Sequence, residues 1–103
     1  MNEREYVLNQ ARVCVCGDRE QDYGSPENNF HTIANLWMDY LGAKGVEVDL
    51  ELYDVAAMLA LLKIARIAGG HAKKDNWIDL AGYAACGGEL QNSHAELKAK
   101  LGL

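Results

Sequence analysis

Apolar positions recur along this chain at spacings of three and four residues, and no stretch alternates in the manner of a strand, so the pattern predicts helix throughout. A first helix is expected from about Glu3 to Cys16, where Tyr6, Val7, Ala11, Val13 and Val15 give a mixed apolar surface. Gly17 and the polar run DREQDYG interrupt it. A second helix should begin at Pro26, because Ser25 can cap orphan amides and a proline at the first helical position sacrifices no hydrogen bond. Phe30, Ile33, Ala34, Trp37, Tyr40 and Leu41 form its expected buried stripe, with Gly42 at its end.

After the connecting segment AKGVEVDLE, a third helix is expected from about Leu50 to Ala68, closed by Gly69 and Gly70. It is apolar on nearly every side, as suits the middle of a bundle. A fourth, from about Asp75 to Gln91, should pack Trp77, Leu80, Ala81 and Ala84 while presenting Asp75, Asp79, Tyr83, Cys86 and Glu89 on its other face. A short polar helix from Ser93 to Lys100 follows. Gly82, Gly87 and Gly88 each cost about 1 kcal/mol relative to alanine inside a helix, which is tolerated where another backbone or a ligand comes close. The expected fold is all-α, a compact bundle of four main helices plus a short C-terminal helix, in a single domain over residues 1–103.

Charge and composition narrow the function classes. Fifteen acids against ten bases give a formal charge of −5, which argues against direct nucleic-acid binding because phosphate contacts are driven by cations. An acidic protein that imitates nucleic acid is compatible with the same balance. Three cysteines, with no signal-like apolar segment near Met1, predict a reducing, cytoplasmic setting. The longest apolar run, Val55 to Leu62, falls far short of the roughly 20 residues that cross a bilayer, so no membrane association is expected. A helix as apolar as the third is hard to cover within so short a chain, which predicts a homo-oligomer.

Candidate chemistry lies on the third and fourth helices. Asp54, Lys63 and Arg66 are the charges the third helix carries after its start, and charge among apolar groups must be paired, reach water or meet a ligand. The helix dipole alone could account for an acid near one end and cations near the other. Asp75 and Asp79 share a helical face, the spacing at which two carboxylates can hold a divalent cation. Alternatively, Asp75 caps the helix and Asp79 pairs with Lys63 or Arg66 across the bundle. Glu27 and His31 repeat that spacing on the second helix, while His71 and His94 have no evident partner. Cys14, Cys16 and Cys86 are too few for a structural zinc site and suit small apolar packing. Trp37, Tyr40, Trp77 and Tyr83 could stack on a base. Both tryptophans also fit core stripes, which leaves Tyr83 as the better ligand candidate.

The succession DREQDYGSPENNF, W-x-x-Y-L, DVAAMLALLKIARI and KDNWIDLAGYA, covering most of the chain from Asp18 to Leu90, resembles a phage and prophage family of small domains of unknown function. That resemblance implies a phage- or prophage-encoded protein of the host cytoplasm. A looser similarity is to the all-α nucleoside triphosphate pyrophosphohydrolases of the MazG kind, in which acids on adjacent helices hold magnesium against a triphosphate. Glu51 and Asp54 form an E-x-x-D, and Asp75 and Asp79 could supply the facing pair, although the E-x-x-E of the preceding helix is missing. The expected function is therefore to bind a nucleotide or nucleotide-derived phosphate between helices. Lys63 and Arg66 would neutralise phosphate, Tyr23 or Tyr83 would stack on the base, and Asp54, Asp75 and Asp79 would hold Mg²⁺ or the ribose. Two alternatives are a counter-defence protein that sequesters a nucleotide signal and an acidic inhibitor of a host nuclease or other defence protein.

Overall fold

A computed structural model describes residues 2–17, 26–70 and 73–103, and all regular structure among them is helical. In α1 (Glu3–Cys16), Asn2 accepts a 2.9 Å hydrogen bond from the Glu5 N–H, and Glu3 and Glu5 set acids in the first turn, where the dipole favours them. The second helix, α2 (Pro26–Ala43), starts at the expected proline; the proposed cap Ser25 lies outside the described residues. It passes Gly42 and reverses instead at Gly45, whose φ of +88° suits a residue without Cβ, while Val46 N–H returns to Leu41 O at 2.8 Å. Met38 helps to hold the connection, its Sδ lying 3.4 Å from the Leu50 N–H.

Helix α3 (Leu52–Ala68) is followed by α4 (Lys74–Leu101), which is one helix of 28 residues. The separate C-terminal helix of the sequence reading is thus its last turns. Nothing between Gln91 and Ser93 supplies a stop, and the Asn92 side chain donates to Glu96 one turn onward. The left-handed Gly102 ends the helix. No helix of the described residues is long and apolar enough to cross a membrane.

The most extensively packed pair, α3 and α4, runs antiparallel: Lys63 meets Asp79, Ala56 lies beside Gly87, and Glu51 and Tyr53 meet His94. Helix α1 packs along another side of α4, and α2 leans on α3. The core joins Phe30 and Ala34 of α2, Val55 and Ala56 of α3, and Cys86 and Leu90 of α4. Because α4 is contacted from two sides, its buried residues Ile78, Gly82, Cys86 and Leu90 follow a four-residue spacing that differs from the expected face. Trp77 is consequently exposed, and Cys86 is inside rather than on the polar side. Tyr40 is likewise exposed, with Met38 turned towards the core in its place. Two glycines permit close packing: a Cβ on Gly87 would lie 3.2 Å from the Cβ of Ala56, and one on Gly82 would lie 3.1 Å from Cγ1 of Val15. The third helix is not enclosed as expected, since one side of it faces outward.

Candidate functional site

The seam between α3 and α4 carries the residues singled out by their chemistry. Lys63 and Asp79 form an ion pair of 2.9 Å, with side chains 11% and 25% exposed. The cross-bundle pairing anticipated as an alternative for Asp79 is the arrangement adopted. Asp54 accepts a 2.8 Å hydrogen bond from the Glu51 N–H, so its carboxylate secures the start of α3. Asp75 stands exposed in the first turn of α4, where an anion suits the dipole; the N-cap itself is Lys73. Arg66 is exposed in the last turn of α3. Tyr23 and His71 lie outside the described residues, as does the Glu27 side chain, while His31 is exposed.

Asp54, Asp75 and Asp79 are therefore not brought to one point. Among the described residues no three His, Cys, Asp or Glu side chains are grouped so as to hold a metal ion. The donor set expected for magnesium does not assemble from these residues.

One turn further along the same seam, an open groove of about 240 Å³ separates the helices. Tyr53, Ala56, Ala57 and Ala60 line it from α3, and Tyr83, Ala84, Gly87, Gly88 and Gln91 from α4. Small residues on both helices leave the space, and the two tyrosines give it aromatic walls. Ala60 is three residues from Lys63 and Tyr83 four from Asp79, so the ion pair occupies the neighbouring turn on the same side of each helix. At the other end, His94 meets Tyr53 edge to face at 5.7 Å, with its Nδ1 3.5 Å from Glu51. Tyr53, Gln91 and His94 were not anticipated. The sequence signal for the groove was present in Ala56, Ala57 and Ala60 and in Gly87 and Gly88, but no pattern revealed that these sets face one another.

Elsewhere, Lys74 pairs with Glu3 at 2.8 Å and lies 4.7 Å from the centre of the Tyr6 ring, fastening α1 to the start of α4. The cysteines are not joined by disulfides: Cys86 is buried, Cys14 half-buried and Cys16 exposed, so apolar packing describes the first and not the last.

Residues 6–91 match the family model described as Domain of unknown function (DUF6378). The chain belongs to that family. Over 82 residues it is 39% identical to the Gene 55 protein of Mycobacterium phage D29, covering 80% of this chain and 51% of the relative. Its identity to the Gene 55 protein of Mycobacterium phage L5 is 44% over 78 residues, covering 76% of this chain and 47% of the relative. This DUF6378 domain thus spans about half the length of the phage relatives it matches. No solved structure matches it. The resemblance to a phage family of small domains, drawn from the motifs, holds, and the chain is a phage-type protein of unknown function.

Proposed function

We propose that this DUF6378 protein is a binding protein for a nucleotide or nucleotide-derived phosphate, held in the seam between α3 and α4. The observation that carries the reading is the groove walled by Tyr53 and Tyr83, with the Lys63–Asp79 pair one turn away along the same seam. The small floor of Ala56 and Gly87 admits a flat ring, and each tyrosine offers an aromatic face or edge to it. Gln91 offers both a donor and an acceptor to a base edge. An ammonium has three donors, of which the contact with Asp79 needs one, so Lys63 retains capacity for a phosphate oxygen while Asp79 fixes its position. Arg66, one turn beyond, adds the planar donor set suited to phosphate.

Binding without turnover is preferred to MazG-like hydrolysis because Asp54, Asp75 and Asp79 lie in three different places. In a phage-encoded protein, such binding would sequester a nucleotide signal of host defence. The deciding experiment incubates the purified protein with a nucleotide panel, with and without magnesium, and analyses both the bound and released fractions. Recovery of intact nucleotide that Tyr83→Ala abolishes is expected. Magnesium-dependent release of pyrophosphate would transfer the protein to the enzymes, and failure to retain any nucleotide would remove the proposal.

A further inference from the structure

The groove between α3 and α4 has room for one ring system and little else. Its volume of about 240 Å³ lies below the roughly 300–1,000 Å³ of sites that enclose a drug-sized ligand. A base can enter while its sugar and phosphates lie outside, along the seam towards Lys63. Among the described residues no charged side chain lines the groove, and the polar side-chain groups of its walls are the two phenol hydroxyls and the Gln91 amide. A phenol hydroxyl rotates to suit donor or acceptor, so it tells bases apart poorly. The amide is different, because its donor and its acceptor occupy fixed sides of one plane. Gln91 stands at the end of the groove remote from Lys63, and no hydrogen bond among the described residues engages its side chain.

Such a lining discriminates between bases. A base gives up water on entering an apolar groove, and each polar substituent left without a partner there costs free energy. Adenine carries a single exocyclic polar group, its 6-amino, whereas guanine, cytosine, uracil and thymine each carry a pair. The 6-amino group lies across the ring system from the glycosidic nitrogen, so with the sugar towards Lys63 it is directed to Gln91. There the amide carbonyl accepts from the 6-amino N–H while the amide N–H donates to the adjacent N7, the bidentate pairing that glutamine makes with adenine. Guanine in the same pose can engage the amide through O6, but its 2-amino group finds no carboxylate among the lining residues. Pyrimidines present a smaller face to Tyr53 and Tyr83 and so gain less from stacking.

We infer that Gln91 makes the groove selective for adenine, so that the ligand class is an adenine nucleotide. The inference rests on the nucleotide-binding reading, which is indifferent to the base. Equilibrium dialysis of the unaltered protein against ATP, GTP, CTP and UTP, in EDTA and at constant ionic strength, should retain ATP at least about tenfold more tightly than the other three. Gln91→Glu exchanges the amide donor for a second acceptor, which loses adenine N7 and suits the N1–H and 2-amino N–H of guanine. The ratio of ATP to GTP affinity should therefore fall by at least about tenfold in that variant. Repulsion between the new carboxylate and the triphosphate is common to both nucleotides and cancels in the ratio. Circular dichroism verifies that the variant retains helix; if it does not, Gln91→Leu, which keeps helix propensity, is read by the same measurement and should bring ATP and GTP closer together. Equal retention of all four nucleotides leaves the binding reading standing and overturns the selectivity, whereas retention of none removes both. Preference for another base, or an ATP-to-GTP ratio indifferent to substitution at Gln91, also overturns the inference.

Discussion

Lys63 illustrates how a residue can look like a ligand group and serve first as a structural partner. It sits in an apolar helix, where an unpaired ammonium would be costly, and Asp79 supplies the compensating charge at 2.9 Å. Replacing Lys63 with Met should remove the cation that Asp79 faces and destabilise the fold by on the order of 2 kcal/mol, less than for a fully buried pair. The double variant Lys63→Met with Asp79→Leu should recover most of that loss in urea unfolding; equal loss in the single and double variants would show that the pair is not coupled. Gly88 gives a second residue-scale test. A Cβ there meets nothing within 4 Å, so Gly88→Ala should stabilise α4 by up to about 1 kcal/mol while narrowing the groove. Higher thermal stability together with weaker nucleotide retention is expected. The Lys63–Asp79 pairing was legible as one of two readings, because the apolar context demanded a partner. The contact of His94 with Tyr53 was not, since 40 residues separate them in sequence and neither belongs to a local pattern.

At the scale of elements, the helix starts were read more successfully than the helix faces. Pro26 and the Gly69–Gly70 stop are local signals, and the helices follow them, whereas the Glu51–Asp54 spacing, expected as a carboxylate pair for metal, proves to be a capping box. Helix α4 was harder because α1 and α3 pack on different sides, spreading its buried positions and weakening any single stripe. Its glycines should therefore differ. Gly87→Ala would press on the Cβ of Ala56, which cannot rotate away, and should lower stability by about 1–3 kcal/mol. Gly82→Ala meets Cγ1 of Val15 at 3.1 Å, and a valine in a helix is nearly confined to one χ1 rotamer, so its melting temperature should fall below that of Gly88→Ala. The junction of α1 with α4 carries a pH dependence. The hydrogen bond to Glu3 raises the Lys74 pKa above the ordinary lysine value, opposed by desolvation and assisted by the charges of Glu3 and Tyr6. The contribution is complete below the unfolded lysine value near ~10.4 and fades as pH rises through the higher folded one.

Over the whole molecule, the all-α class and the four main helices follow from short-range chemistry: three- and four-residue apolar spacing, one well-placed proline, and glycines at the reversals. These signals act within a few turns, and a reader of the chain can recover them without knowing what packs where. The family also announces itself at this level, because its motifs are runs of neighbouring residues. Which sides of α3 and α4 meet, and hence the groove, the Lys63–Asp79 pair and the bare outer face of α3, depends on helix rotations. Those rotations are set by the mutual fit of Ala56 with Gly87 and Val15 with Gly82, contacts between residues far apart in the chain. A helix apolar all round contains no preference for the side it will bury. Packing makes that choice, and with it separates the acids Asp54, Asp75 and Asp79 that spacing alone had allowed to converge.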